Sequence, residues 1–101
     1  MKNYEILNAN RVLSEFLDEP LKGLFKFKLF SIKTELESRI KIIEQTLDGV
    51  EDEEEIEDIL NIDQEIAIDK FYEEELSELE MSVRQVGMLS PLIHDSDHIE
   101  E

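Results

Sequence analysis

Leu21, Phe25, Leu29, Ile32, Leu36, Ile40, Ile43 and Leu47 follow one another at spacings of 4, 4, 3, 4, 4, 3 and 4. That repeat places apolar side chains on one face of an α-helix, here a helix of roughly 40 Å at ~1.5 Å per residue. Few folds tolerate such an element in a chain of 101 residues, because its seam must be covered along its whole length. Pro20 sits where a first-turn proline is tolerated, and Asp48-Gly49 marks the end, since glycine readily adopts the left-handed conformation that closes a helix. The alternation of Leu24 to Phe30 mimics a strand, yet the three-four pattern runs unbroken on both sides and keeps this stretch helical.

Upstream, Ile6, Leu7, Val12, Leu13, Phe16 and Leu17 recur at helical spacing, with Asn3 as the expected cap and Asp18-Glu19-Pro20 as the stop. The two runs predict an antiparallel helical hairpin over residues 4–48. Its expected hydrophobic seam is Phe25, Leu29, Ile32, Leu36, Ile40 and Ile43. A first helix of about 14 residues covers only part of a neighbour nearly twice its length, so the rest must be covered by the C-terminal half or by another subunit.

Charge divides the chain at the same place. Residues 1–50 carry 8 basic and 8 acidic side chains, whereas residues 51–101 carry only Lys70 and Arg84 against 19 acids, which accounts for the whole net charge of −17. Seven of those acids lie between Glu51 and Asp58. On a helix they would occupy about 12 Å of axis, close to the linear charge density of duplex DNA. A short helix near 52–60 is expected, with acids all round it, an arrangement that disfavours mimicry of a duplex. The expected partner-binding surface is Glu53, Glu54, Glu55, Glu57 and Asp58, facing a protein with a basic surface. Lys22, Lys26, Lys28 and Lys33 are expected to face the acidic half rather than nucleic acid, because a protein of this net charge repels polyphosphate.

Beyond the connector, Ile62, Ile66 and Ile68 alternate with polar residues and predict a half-buried strand across 64–69. Residues 71–76 read as a single helical turn, Leu79-Glu80-Met81 as a second short strand, and Ser82 as the cap of a final helix through about Leu89. The fold class expected is therefore α+β, mostly helical. It is a single domain over 1–93, comprising the hairpin 4–48, an acidic connector 49–60 and a small α/β part 61–93, followed by a polar tail 94–101.

Chemistry-bearing patterns are sparse. With no cysteine there is neither a disulfide framework nor a thiolate site. His94 and His98 stand four apart in the tail, but two imidazoles on a terminal segment do not make a metal site. No glycine-rich phosphate loop and no serine with an activating histidine beside it occur, so neither enzymatic activity nor a cofactor is expected. The N-terminal residues lack the basic-then-apolar run of a secretory leader, and no apolar stretch approaches the length of a membrane span. The expectation is a protein of the cytoplasm, with no membrane contact.

The order of elements resembles a family of small uncharacterised phage and prophage proteins of Gram-positive hosts. The likeness is carried by the opening helix ending in Leu13-Ser14-Glu15-Phe16-Leu17-Asp18-Glu19-Pro20-Leu21-Lys22, the long helix with Ile32-Lys33-Thr34-Glu35-Leu36-Glu37, the acidic linker, the isoleucine-alternating segment and the closing Leu89-Ser90-Pro91-Leu92-Ile93. Members are often longer between the long helix and the acidic segment. The resemblance implies a phage origin, in the host cytoplasm or with the virion, and a non-catalytic accessory role through protein–protein contact, in virion assembly or another late function. The alternative is an acidic nucleic-acid mimic that inhibits a host or defence enzyme. A homo-oligomer through the seam remains open.

Overall fold

The computed structural model describes residues 1–21, 23–77 and 79–94. Five helices follow in order: α1 (Asn3–Glu15), α2 (Gly23–Leu47), α3 (Glu53–Leu60), α4 (Glu73–Leu76) and α5 (Val83–Leu89), the last running into a 3-10 turn at Ser90–Leu92. α1 and α2 are joined by a short turn and pack against each other, and α1 also carries α5. At the far end of α2, Gly49 takes a φ of +82°, the left-handed conformation that lets the chain leave the helix. Ser82 caps α5 by a reciprocal pair of bonds: its Oγ accepts from the Gln85 amide at 3.1 Å, and its own amide donates to Gln85 Oε1 at 2.8 Å.

One core runs through the molecule. α1 contributes Ile6, Ala9, Val12 and Leu13, with Phe16 just beyond its end, and α2 contributes Phe25, Leu29, Ile32, Leu36 and Ile43. The cover for the remaining length of α2 comes from the chain's own second half. Phe71, Leu76, Leu89 and Leu92 are buried in the same cluster, and the Phe71 ring lies 5.5 Å from that of Phe25, tilted by 48°. Backbone bonds lock this closure, Phe71 N donating to Leu92 O and His94 N to Phe71 O, both at 2.8 Å.

The α+β expectation is overturned. Among the described residues there is no strand and no sheet, only isolated bridges between Lys2 and Asp63 and between Phe71 and Ile93. The two expected strands, 64–69 and 79–81, do not pair. Residues 64–70 belong to no helix or strand, and Ile66 and Ile68 do turn inward against the core, but they form a strap rather than a ladder. One end is held where Gln64 meets Arg39, and the other where Asp69 meets Lys28. Eleven residues of α2 between those anchors rise about 16 Å, and five extended residues span about the same distance. A helix of five residues would reach less than half as far. The strap is stretched by the distance it must cover, and its alternation records one-sided burial without a partner strand.

The expected cap is also corrected. Lys2 holds the N-cap position of α1, its amide donating to Glu5 Oε1 at 2.7 Å. Asn3 is the first helical residue and only 4% exposed. Its Nδ2 donates to Ile59 O at 2.7 Å, its Oδ1 accepts from Gln64 Nε2 at 2.6 Å, and its amide donates to Ile62 O at 2.9 Å. A buried amide is tolerated where its polar groups are paired, and here the pairing fastens the start of α1 to the end of α3.

Two stability measurements follow from this packing. Leu36→Ala, at a fully buried position, should cost about 2–5 kcal/mol in urea unfolding, the range for opening a cavity in a core. Asn3→Ala should cost about 1–3 kcal/mol by leaving the Ile59 carbonyl and the Gln64 amide without their partner, and amide exchange should accelerate first in α3 rather than in α2.

Candidate partner-binding surface

α3 is short, and its sequence explains both its formation and its orientation. Asp52 caps it, Oδ1 accepting from the Glu54 amide at 3.4 Å, and the acids Glu53, Glu54 and Glu55 in its first turn meet the positive end of the helix dipole. At its other end the Asn61 side chain donates to Glu57 O at 2.9 Å. Ile56, Ile59 and Leu60 are half-buried, while Glu53, Glu54, Glu55, Glu57 and Asp58 are all exposed. At ~100° per residue the apolar three share one arc, and the five acids fan over an outer arc of about 200°. The expectation of acids all round the helix is therefore corrected: one side is apolar and faces the protein.

The chain does not neutralise this surface. Among the described residues, no ion pair involves any acid from Glu51 to Asp58. Three cations of the first half are engaged elsewhere, Lys33 with Glu37 at 2.6 Å, Arg39 with Glu35 at 3.3 Å, and Lys28 with Glu75 at 2.9 Å and Asp69 at 3.8 Å. Of the lysines expected to face the acidic half, Lys28 does so, Lys33 pairs within its own helix, Lys26 is exposed, and Lys22 lies outside the described residues.

The other sequence-derived residues occupy a different place. Phe25, Leu29, Ile32, Leu36 and Ile43 are buried and Ile40 is half-buried, all within the chain's own core. The seam is thus brought together, but against α1 and the second half. The tail beyond His94, including the His94/His98 spacing, lies outside the described residues.

Two polar clusters gather around residues the sequence singled out, Asn3 and Lys28, with partners it did not. The first is the Asn3–Ile59–Gln64 junction, which also receives the α-amino group of Met1, 2.9 Å from Gln64 O and 3.0 Å from Asp63. Beside it runs a groove of about 770 Å³ between Lys2 and Glu5 of the α1 start, Arg39 of α2 and the strap residues Ile66 and Ile68. The second cluster centres on Lys28. Its Nζ lies 5.1 Å from the centroid of the Tyr72 ring and 5.7 Å from that of Phe71, within reach of a cation–π contact, and the His94 ring stacks on Tyr72 at 4.3 Å. Burial acts to raise the Glu75 carboxyl. It is outweighed by the hydrogen bond from the Tyr72 amide, the bond and charge of Lys28, and the charge of His94, which together hold the group below its usual 4.5.

Among the described residues no three His, Asp or Glu side chains are grouped so as to hold a metal ion, and no helix is long and apolar enough to cross a membrane. Compared with models of known protein families, with curated proteins and with solved structures, the chain finds no significant match.

The sign of the Glu75 effect sets a measurable acid limb. Because the folded carboxyl titrates below the unfolded one, it adds stability at pH above 4.5 that fades as the pH falls through the lowered folded value. Glu75→Gln should therefore lose stability at neutral pH and show a shallower decline on acidification, checked by urea melts from about pH 7 to about pH 3.

Proposed function

We propose that the protein is a non-catalytic interaction module whose α3 outer face binds a basic protein surface. The observation that carries this reading is the un-neutralised acidic arc: exposed carboxylates from Glu51 to Asp58, presented by a helix that is capped, half-buried at Ile56, Ile59 and Leu60, and bonded to α1 through Asn3. Such a surface gives orientation and fast encounter more than raw affinity. It also costs self-repulsion in the folded state, a cost that a cationic partner would relieve. An accessory role in a phage, in virion assembly or another late step, is the setting the sequence resemblance suggests.

A second reading, an acidic mimic that occupies a nucleic-acid-binding groove, is supported by the confinement of the acids to the outer side of α3 at roughly the charge spacing of a duplex. The two readings share a surface and differ in the partner.

Affinity capture from host lysate, followed by binding measurements on the captured protein, separates them. The partner should bind at least about tenfold more weakly in 0.5 M than in 0.1 M salt, and the variant with Glu53, Glu54, Glu55 and Glu57 all changed to Gln should no longer bind while keeping its helix content. Competition by duplex DNA would select the mimic. Equal binding by the wild type in low and high salt would exclude both.

A further inference from the structure

The inward face of α2 is covered, and its outward face is not. Leu24 is 91% exposed, Phe27 74%, Ile42 53% and Phe30 43%, which places on the order of 500 Å² of apolar side-chain surface in solvent on one helix, divided between its two ends. Leu24, Phe27 and Phe30 cluster near the helix start. Ile42 stands about 22 Å further along, fifteen residues on. Between them the outward positions include the small, uncharged Ser31, Thr34 and Ser38, with the charged Glu37 and Lys41 beside them, all exposed.

We infer that a second copy of this chain docks on this face, with the two α2 helices antiparallel. Reversal brings Phe27 of one copy against Ile42 of the other at both ends of the contact, with Ser31 opposite Ser38 in the middle, where small side chains allow the helix axes to approach. Charge selects the same arrangement. α2 carries five bases and three acids, so it is +2 while the rest of the chain is −19; it is the large element whose charge is opposite to that of an approaching second copy. The stretch Gly23–Lys33 holds only lysines, Lys26, Lys28 and Lys33, whereas Glu35, Glu37 and Glu44 all lie beyond it. Lys28 and Lys33 are engaged within the chain, so a parallel pair would set the exposed Lys26 of one copy beside Lys26 of the other. An antiparallel pair sets the exposed Lys26 beside Glu44 of the second copy. With the polar flanks included, a 25-residue helix pairing along its length approaches the ~800 Å² per partner of a standard interface. This face is separate from α3 and its salt response is opposite in sign: screening the −17 on each copy should favour the dimer.

Sedimentation equilibrium of the full chain tests it. A dimer should form at micromolar concentration and tighten between about 0.1 M and 0.5 M salt. Phe27→Glu, at an exposed position where folding is not at stake, should raise the dimer dissociation constant at least about tenfold with an unchanged circular dichroism spectrum. The chain has no cysteine, so orientation can be read directly: on oxidation of a mixture, S31C and S38C copies should cross-link to each other far more than S31C to S31C. A wild type that is monomeric at about 100 µM in both salts, a dimer indifferent to Phe27→Glu, or preferential S31C self-linking would each overturn the proposal.

Discussion

A 25-residue helix with an apolar stripe in so short a chain dictates almost everything else. α1, with 13 residues, extends only about half as far. Leaving the remainder of the stripe in water would forfeit on the order of 1.5–3 kcal/mol for each large side chain, so the second half has to fold back along α2. Because the apolar residues of that half are dispersed among 19 acids, it does so with isolated anchors rather than a second sheet or bundle. Phe71 anchors it against Phe25 of α2, Leu76, Leu89 and Leu92 are buried in the same core with α5 resting on α1, and the backbone bonds between Phe71 and the Leu92–His94 segment hold them in register.

Polar groups do the remaining fastening where apolar side chains are too few. Asn3 and Gln64 tie the connector to the start of α1, and Lys28, between Glu75, Asp69 and the Tyr72 ring, ties the far end of the strap to α2. Both lie at the ends of otherwise unsupported backbone. The division of labour commits Lys28, Lys33 and Arg39 to internal pairs and leaves the α3 acids facing outward without one.

The sequence was most legible where a periodic signal was long. The three-four spacing from Phe25 to Ile43 located α2 and its buried face, Gly49 its end, Ser82 the start of α5, and the dense acids a short α3. Alternation at Ile62, Ile66 and Ile68 was misleading because period two reports burial on one side of an extended chain, and says nothing about whether a neighbouring strand exists. Asn3 was misread for a related reason: the residue types that cap helices are also those able to satisfy a buried junction, and only the arrival of Ile59 and Gln64, distant in sequence, distinguishes the roles. What covers a seam is likewise a long-range property, so the acidic half's return over α2 could be named as one of two options but not chosen. The acidic residues themselves were identifiable by type; their restriction to one arc was readable from Ile56, Ile59 and Leu60, had those three been placed on a wheel with the acids.

The strap from Gln64 to Lys70 acts as a ruler. Its two ends meet Arg39 and Lys28 of α2, a rise of about 16 Å that five residues cover only when nearly extended, which leaves little slack to absorb a change in residue number. What is encoded there is metric more than chemical: Ile66 and Ile68 must face inward, while the outward positions serve chiefly to keep count. The turn between Leu47 and Glu53 has no such obligation. Sequence length in this protein is thus rigid in one connection and free in the other, and the rigid one is the segment that looks least structured.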